Sequence, residues 1–143
     1  MDITGASGAI PRSDNARMDS HADRYYEEIR KRDTDVAAIA QNTVFSVEDV
    51  EIIKRHVFFN EYSLDGKGVK RFDPNYDMAV SWQRLIDGKD IHEMDIVLLH
   101  HELLEYKIMT EQGVPYYKAH TQASKQYNYQ AYTDELDRKA GLK

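Results

Sequence analysis

Four ionisable side chains stand where a helix ought to be burying hydrocarbon. His101, Glu102 and Glu105 interrupt the run DIVLLHHELLEYKIM, and His120 follows in GVPYYKAH. At about 100° per residue, Ile96, Val97, Leu98, Leu99, Leu103, Leu104, Tyr106, Ile108 and Met109 spread around nearly the whole circumference, the pattern of a buried helix. A charge held there is costly unless it is paired, hydrogen-bonded or metal-bound. So many ionisable groups in one apolar stretch point to a site or to a satisfied polar network, and a site is the sharper expectation.

Two chemistries fit these residue types. His101 and Glu105 are one helical turn apart on the same side, and with His120 they form a two-histidine, one-carboxylate set with an open position for one divalent ion: zinc, manganese or magnesium. The string H-E-x-x-E differs by one ligand from the H-E-x-x-H of zinc metallopeptidases, whose glutamate is the general base. The difference falls at Glu105 and counts against a protease in particular. The rival is a metal-free acid/base site in which His101 or His120 moves a proton and a glutamate orients the imidazole. RNA cleavage is its natural reaction, with Arg71, Arg84 or Lys54 stabilising the phosphate charge. Both readings place catalysis on His101, Glu102, Glu105 and His120 and substrate binding on Arg71 and Arg84. The non-catalytic alternative is a buried hydrogen-bond network joining the last two helices.

Other chemistry-bearing residues are weighed against plainer roles. His100 projects to the far side of the helix as a packing or surface residue. His56, in KRHVFF, reads as a cation at a helix C-terminus or as a partner behind the site. His21 and His92 read as exposed. Trp82 is expected in the core, Arg84 is left open, and in YNYQAY only Tyr127 is expected to face inward. The GKG near Lys67 lacks the ending and the preceding strand of a phosphate-binding loop.

The elements that must position these groups are helical. Residues 1–15, rich in Gly, Ala and Ser, are expected as a flexible linker, with the domain over 16–140. A largely surface-lying helix follows from Ser20, with Tyr25, Tyr26 and Ile29 as its stripe. A short one runs through DVAAIAQN, and a third starts at Ser46 with Val47, Val50, Ile53 and Val57 on one side. Asp65-Gly66 and Gly68 leave room for a short β-hairpin between Tyr62 and Phe72. Asp73-Pro74 should open the next helix and Gly88 close it. Asp95 is expected to cap the central helix, which ends at Gly113, and Pro115 to begin one last long helix past Ala131 whose tail frays after Asp134. The predicted fold class is mainly α, a single helical domain around a buried central helix.

Composition bounds the partners. The chain has 143 residues, 41% hydrophobic and 31% charged, with a formal charge of −6 and no cysteine. Disulfides, thiolate metal sites and a cysteine nucleophile are excluded. An acidic balance argues against a generic nucleic-acid-binding module but not against a nuclease whose cleft alone is basic. No signal peptide or transmembrane segment is legible, and no membrane partner is expected.

The series HAxRYYExIR, DVxxIAxNT, IKRHVFF, KRFDPNYDMAVSWQRLIDG, DIVLLHHELLEYKIM, YYKAH and ASKQYNY resembles the C-terminal domain of phage head-morphogenesis (minor capsid) proteins of the Mu F type. It is also similar to C-terminal domains of polymorphic-toxin-like proteins. The resemblance covers about residues 20 to 130. It implies a modular effector or head-associated domain, with a phage head protein, an immunity protein or nucleic acid as partner, in the cytoplasm or with the phage particle. The positions carried over are His56, Arg71, Trp82, Arg84, Asp95, His101, Glu102, Glu105, His120 and Asn128.

Overall fold

A computed structural model describes residues 10–142. Helices dominate them: α1 (Asn15–Lys31), α2 (Asp35–Asn42), α3 (Val47–Lys54), α4 (Tyr76–Asp87), α5 (Glu93–Gln112), α6 (Tyr116–Gln126) and α7 (Tyr129–Lys139). Strands β1 (Tyr62–Leu64) and β2 (Gly68–Lys70) pair antiparallel, with Tyr62 opposite Lys70 and Leu64 opposite Gly68. The fold is mainly α with one small hairpin, inside the Tyr62–Phe72 interval where turn chemistry predicts it. None of the described helices is long and apolar enough to cross a membrane.

The core forms where the apolar stripes meet. Tyr25, Tyr26 and Ile29 of α1, Ile39 of α2, Val50 and Ile53 of α3, Trp82 and Leu85 of α4, and Leu99 of α5 are all fully buried. Each such side chain is worth about 1.5–3 kcal/mol of burial. α5 runs through the middle, packed against α3, α4, α6 and α7, which explains the apolar residues around its circumference.

Several expectations are corrected. α1 exposes its charged face, but its stripe of Tyr25, Tyr26 and Ile29 is sealed in the core, and His21, expected to be exposed, is 3% exposed against the rings of Tyr25 and Tyr76. The modest stripe is enough because its members are large. Residues 1–9 of the expected linker lie outside the described residues; just beyond, Arg12 pairs with Asp77 and Asp137, and the Asp14 side chain caps α1. Val47 is 52% exposed because it occupies the first turn of α3, ahead of the packed stripe. α4 is capped by Asn75, whose side chain accepts from the Met78 amide, while Asp73 is drawn off by Lys70. Asp95 lies inside α5, where it accepts from the His92 amide and forms two hydrogen bonds with Arg84. The last helix is two helices: Asn128 breaks the run by capping α7 through the Ala131 amide. α7 continues to Lys139, so the helix runs five residues past Asp134, and Tyr129 is buried with its hydroxyl against Ser81.

Candidate metal and acid–base centre

Three elements converge on one carboxylate. α5 presents His101, Glu102 and Glu105 within a single turn, α6 returns antiparallel to bring His120 across, and α3 delivers His56 through the turn that follows it. That turn, Arg55–Phe59, is π-helical, with the Asn60 amide donating to the Arg55 carbonyl at 2.7 Å. A π-turn adds a residue to the turn and re-aims the side chains there. His56, Val57 and Phe58 are consecutively buried.

Glu105, 1% exposed, is the hub. Its Oε2 lies 3.1 Å from His101 Nε2 and 2.8 Å from His120 Nδ1, and its Oε1 lies 2.7 Å from His56 Nε2. Glu102 Oε2 is 3.4 Å from His56 Nε2. The convergence of His101, Glu105 and His120 is therefore present. Their ligand atoms, and separately those of His56, Glu102 and Glu105, all lie within 4.8 Å of one another.

The surroundings constrain the protons. His101 Nδ1 meets the Tyr127 carbonyl at 2.9 Å, which only accepts, so Nδ1 carries hydrogen. Nε2 then meets the carboxylate productively in two ways: protonated, as an imidazolium, or bound to a metal ion. The break between α6 and α7 supplies that carbonyl, linking the misjudged helix end to the centre. His56 Nδ1 is 2.7 Å from the Tyr62 hydroxyl, which also accepts from Asn60 Nδ2 at 2.9 Å. The His56 ring is edged by Tyr62, Phe72 and Tyr106.

The two carboxyls have different protonation. Burial and then the charge of Glu105 push Glu102 up to about 7. Burial would raise Glu105 too, but hydrogen bonds from His101, His120 and His56 outweigh it and hold Glu105 well below the usual carboxylate range. Burial lowers His101, yet its bond to Glu105 and the charges of both glutamates leave it raised to about 9. Pairs of acids with separated pKa values are the usual mark of an acid/base division of labour.

Two adjoining clefts reach the centre. A cleft of about 370 Å³ is lined by Glu102 and Glu105 with Phe72, Asp73 and Tyr116, and one of about 280 Å³ by His101, Glu102, His120 and Tyr116. The His120 side chain is 45% exposed. Arg71 and Arg84 line neither cleft: Arg71 is exposed, and Arg84 is held by Asp95 beside a different cavity. Four carboxylates, Asp65, Asp73, Glu102 and Glu105, line the larger cleft against one cation, Lys67, which is paired with Asp73. Lys54 is likewise committed, to Asp35 and the Arg32 carbonyl. His100 stacks on Tyr127, and Trp82 is core, donating to Asp35.

Sequence reasoning left His56 between two roles and did not weigh Tyr62, Asn60 or Tyr116. The signal for His56 was its place directly before Val57-Phe58; Tyr62 stood in a stretch read only for turns. No protein-family model, curated protein or solved structure matches this chain.

Proposed function

We propose that this domain is a metal-dependent hydrolase, with His101 Nε2, Glu105 Oε2 and His120 Nδ1 as ligands of a divalent ion. The observation that carries the reading is their convergence, 2.8 and 3.1 Å about one carboxylate oxygen, where a cleft reaches them. Two imidazoles and one carboxylate favour zinc or manganese over magnesium, which prefers oxygen donors. A bound ion there would acidify a water and polarise the bond to be cleaved. Glu102 lines both clefts beside the ligands, placed to take the proton from the attacking water and pass it to the leaving group. The Tyr127 carbonyl holds His101 in the tautomer a ligand needs.

Nucleic acid, the substrate favoured on sequence grounds, is less well supported than the hydrolytic centre, because the arginines expected to hold phosphate face elsewhere and the larger cleft has acidic walls. The resemblance to phage head-morphogenesis and toxin-like domains supports an effector or particle-associated setting for such a hydrolase.

Metal binding tests the proposal directly. Freshly purified protein should carry zinc or manganese, and adding either ion to stripped protein should raise its melting temperature. His120→Ala, a change at a half-exposed position, should abolish the shift. Absence of bound metal together with no shift from zinc, manganese or magnesium overturns the reading. Against an unfolded protein, single-stranded RNA and a simple ester, Glu102→Gln should lower any chelator-sensitive cleavage by about 10²–10⁴-fold.

A further inference from the structure

Glu105 has two oxygens, and the mononuclear reading uses one. We propose that the centre takes a pair of divalent ions bridged by Glu105, with Oε2 serving His101 Nε2 and His120 Nδ1, and Oε1 serving His56 Nε2 and Glu102 Oε2. The proposal rests on the centre binding metal at all, and it adds a second site that gives His56 a ligand's role.

The two contacts of His56 in this second set differ: its Nε2 meets Glu105 Oε1 at 2.7 Å, as in an ordinary charge-assisted hydrogen bond, while Glu102 completes the set from further off. Glu102 Oε2 stands 3.4 Å from His56 Nε2, long for a charge-assisted hydrogen bond of about 2.7–2.9 Å. Two donors each about 2.0–2.1 Å from a tetrahedral ion stand roughly 3.4 Å apart. The two sets share one carboxylate, one oxygen to each, and bridged pairs of ions lie about 3.5–4 Å apart.

Two of the three histidines, His101 and His56, are also backed as a ligand requires. Metal-binding imidazoles donate their other ring nitrogen to a fixed acceptor. His101 has the Tyr127 carbonyl, and His56 Nδ1 has the Tyr62 hydroxyl, itself anchored by Asn60. With Nδ1–H donated to that hydroxyl, the Nε2 lone pair is free for a cation. His56 is 0% exposed, but Glu102 and Glu105 line the larger cleft, so an ion enters past the carboxylates. An ion held here would draw Glu102 into the ligand set, so its role as proton acceptor belongs to the one-ion centre.

The full chain, stripped with chelator, is titrated with Mn(II) and bound ions are counted by equilibrium dialysis, with electron paramagnetic resonance on the same samples. Wild type should bind two equivalents and show an exchange-coupled spectrum. His56→Gln should retain one ion with an isolated six-line signal, and Glu105→Gln should lose both. One equivalent in wild type with a six-line signal overturns the second site and leaves the hydrolase reading standing; no binding overturns both. Two equivalents without coupling, or two equivalents retained by His56→Gln, also overturn the bridge. If His56→Gln fails to fold, the wild-type count and spectrum decide alone.

Discussion

Two buried charged clusters sit on the same core and are built oppositely. Around Asp35, which is fully buried, each carboxylate oxygen has one donor: Lys54 Nζ at 2.8 Å and Trp82 Nε1 at 3.1 Å, with the same ammonium also donating to the Arg32 carbonyl. Acceptors and donors match, and the cluster ties α2, α3 and α4 together. Around Glu105, one carboxylate faces three imidazoles while a second, Glu102, has its imidazole neighbour, His56, at 3.4 Å. The partners differ as much as the counts. The Lys54 ammonium has no lone pair to offer and needs its counter-charge, whereas an imidazole that gives up a proton presents a nitrogen lone pair to a competing cation. A matched pair with a permanent cation is built to stay; an unmatched set of exchangeable protons is built to be occupied.

The largest expected effect separates the clusters by stability. Asp35→Ala leaves the Lys54 ammonium buried without its counter-charge and should cost about 3–5 kcal/mol, read by urea unfolding. Glu105→Gln in metal-free protein should cost only about 1–2 kcal/mol, since the imidazoles facing it can neutralise themselves. Equal losses for the two variants would make the Glu105 cluster another structural tie.

Metal then closes the gap. At a free zinc or manganese concentration of about 100 times the dissociation constant, binding should add roughly 2.7 kcal/mol to wild type. Asp35→Asn should keep that increment if it folds, and Glu105→Gln should lose it. Unfolding with and without added ion measures both, and a full increment in Glu105→Gln would remove Glu105 from the ligand set.

What could be read in the sequence follows from how far each feature reached along the chain. His101, Glu102 and Glu105 were legible because they break an apolar run inside one helix, and His120 because Gly113 and Pro115 mark a tight return. The hairpin was legible from Asp65-Gly66. His56 was legible only as one of two roles, because its partner Glu105 lies 49 residues away and nothing local separates an inward histidine from a cation at a helix end. Arg84 was offered to a substrate because its partner Asp95 lies across a turn, in a position that looked like a cap. The division of α6 from α7 was hidden because Tyr127-Asn128-Tyr129 contains neither Gly nor Pro, and one asparagine side chain makes the break.

That break supplies the smallest and sharpest test. Asn128 does not touch the centre; its side chain accepts from the Ala131 amide and thereby frees the turn in which the Tyr127 carbonyl points at His101 Nδ1. Asn128→Ala should cost about 1 kcal/mol as the loss of a helix cap. If the centre only braces the fold, that is the whole effect, and metal affinity is unmoved. If His101 is a ligand held by that carbonyl, affinity should fall about 10-fold or more as the carbonyl drifts. Asn128→Asp, which can still cap α7, should restore both stability and affinity. Calorimetric titration of zinc into the three proteins separates the outcomes, because a cap that mattered only to α7 would change the melting curve and leave the zinc affinity where it was.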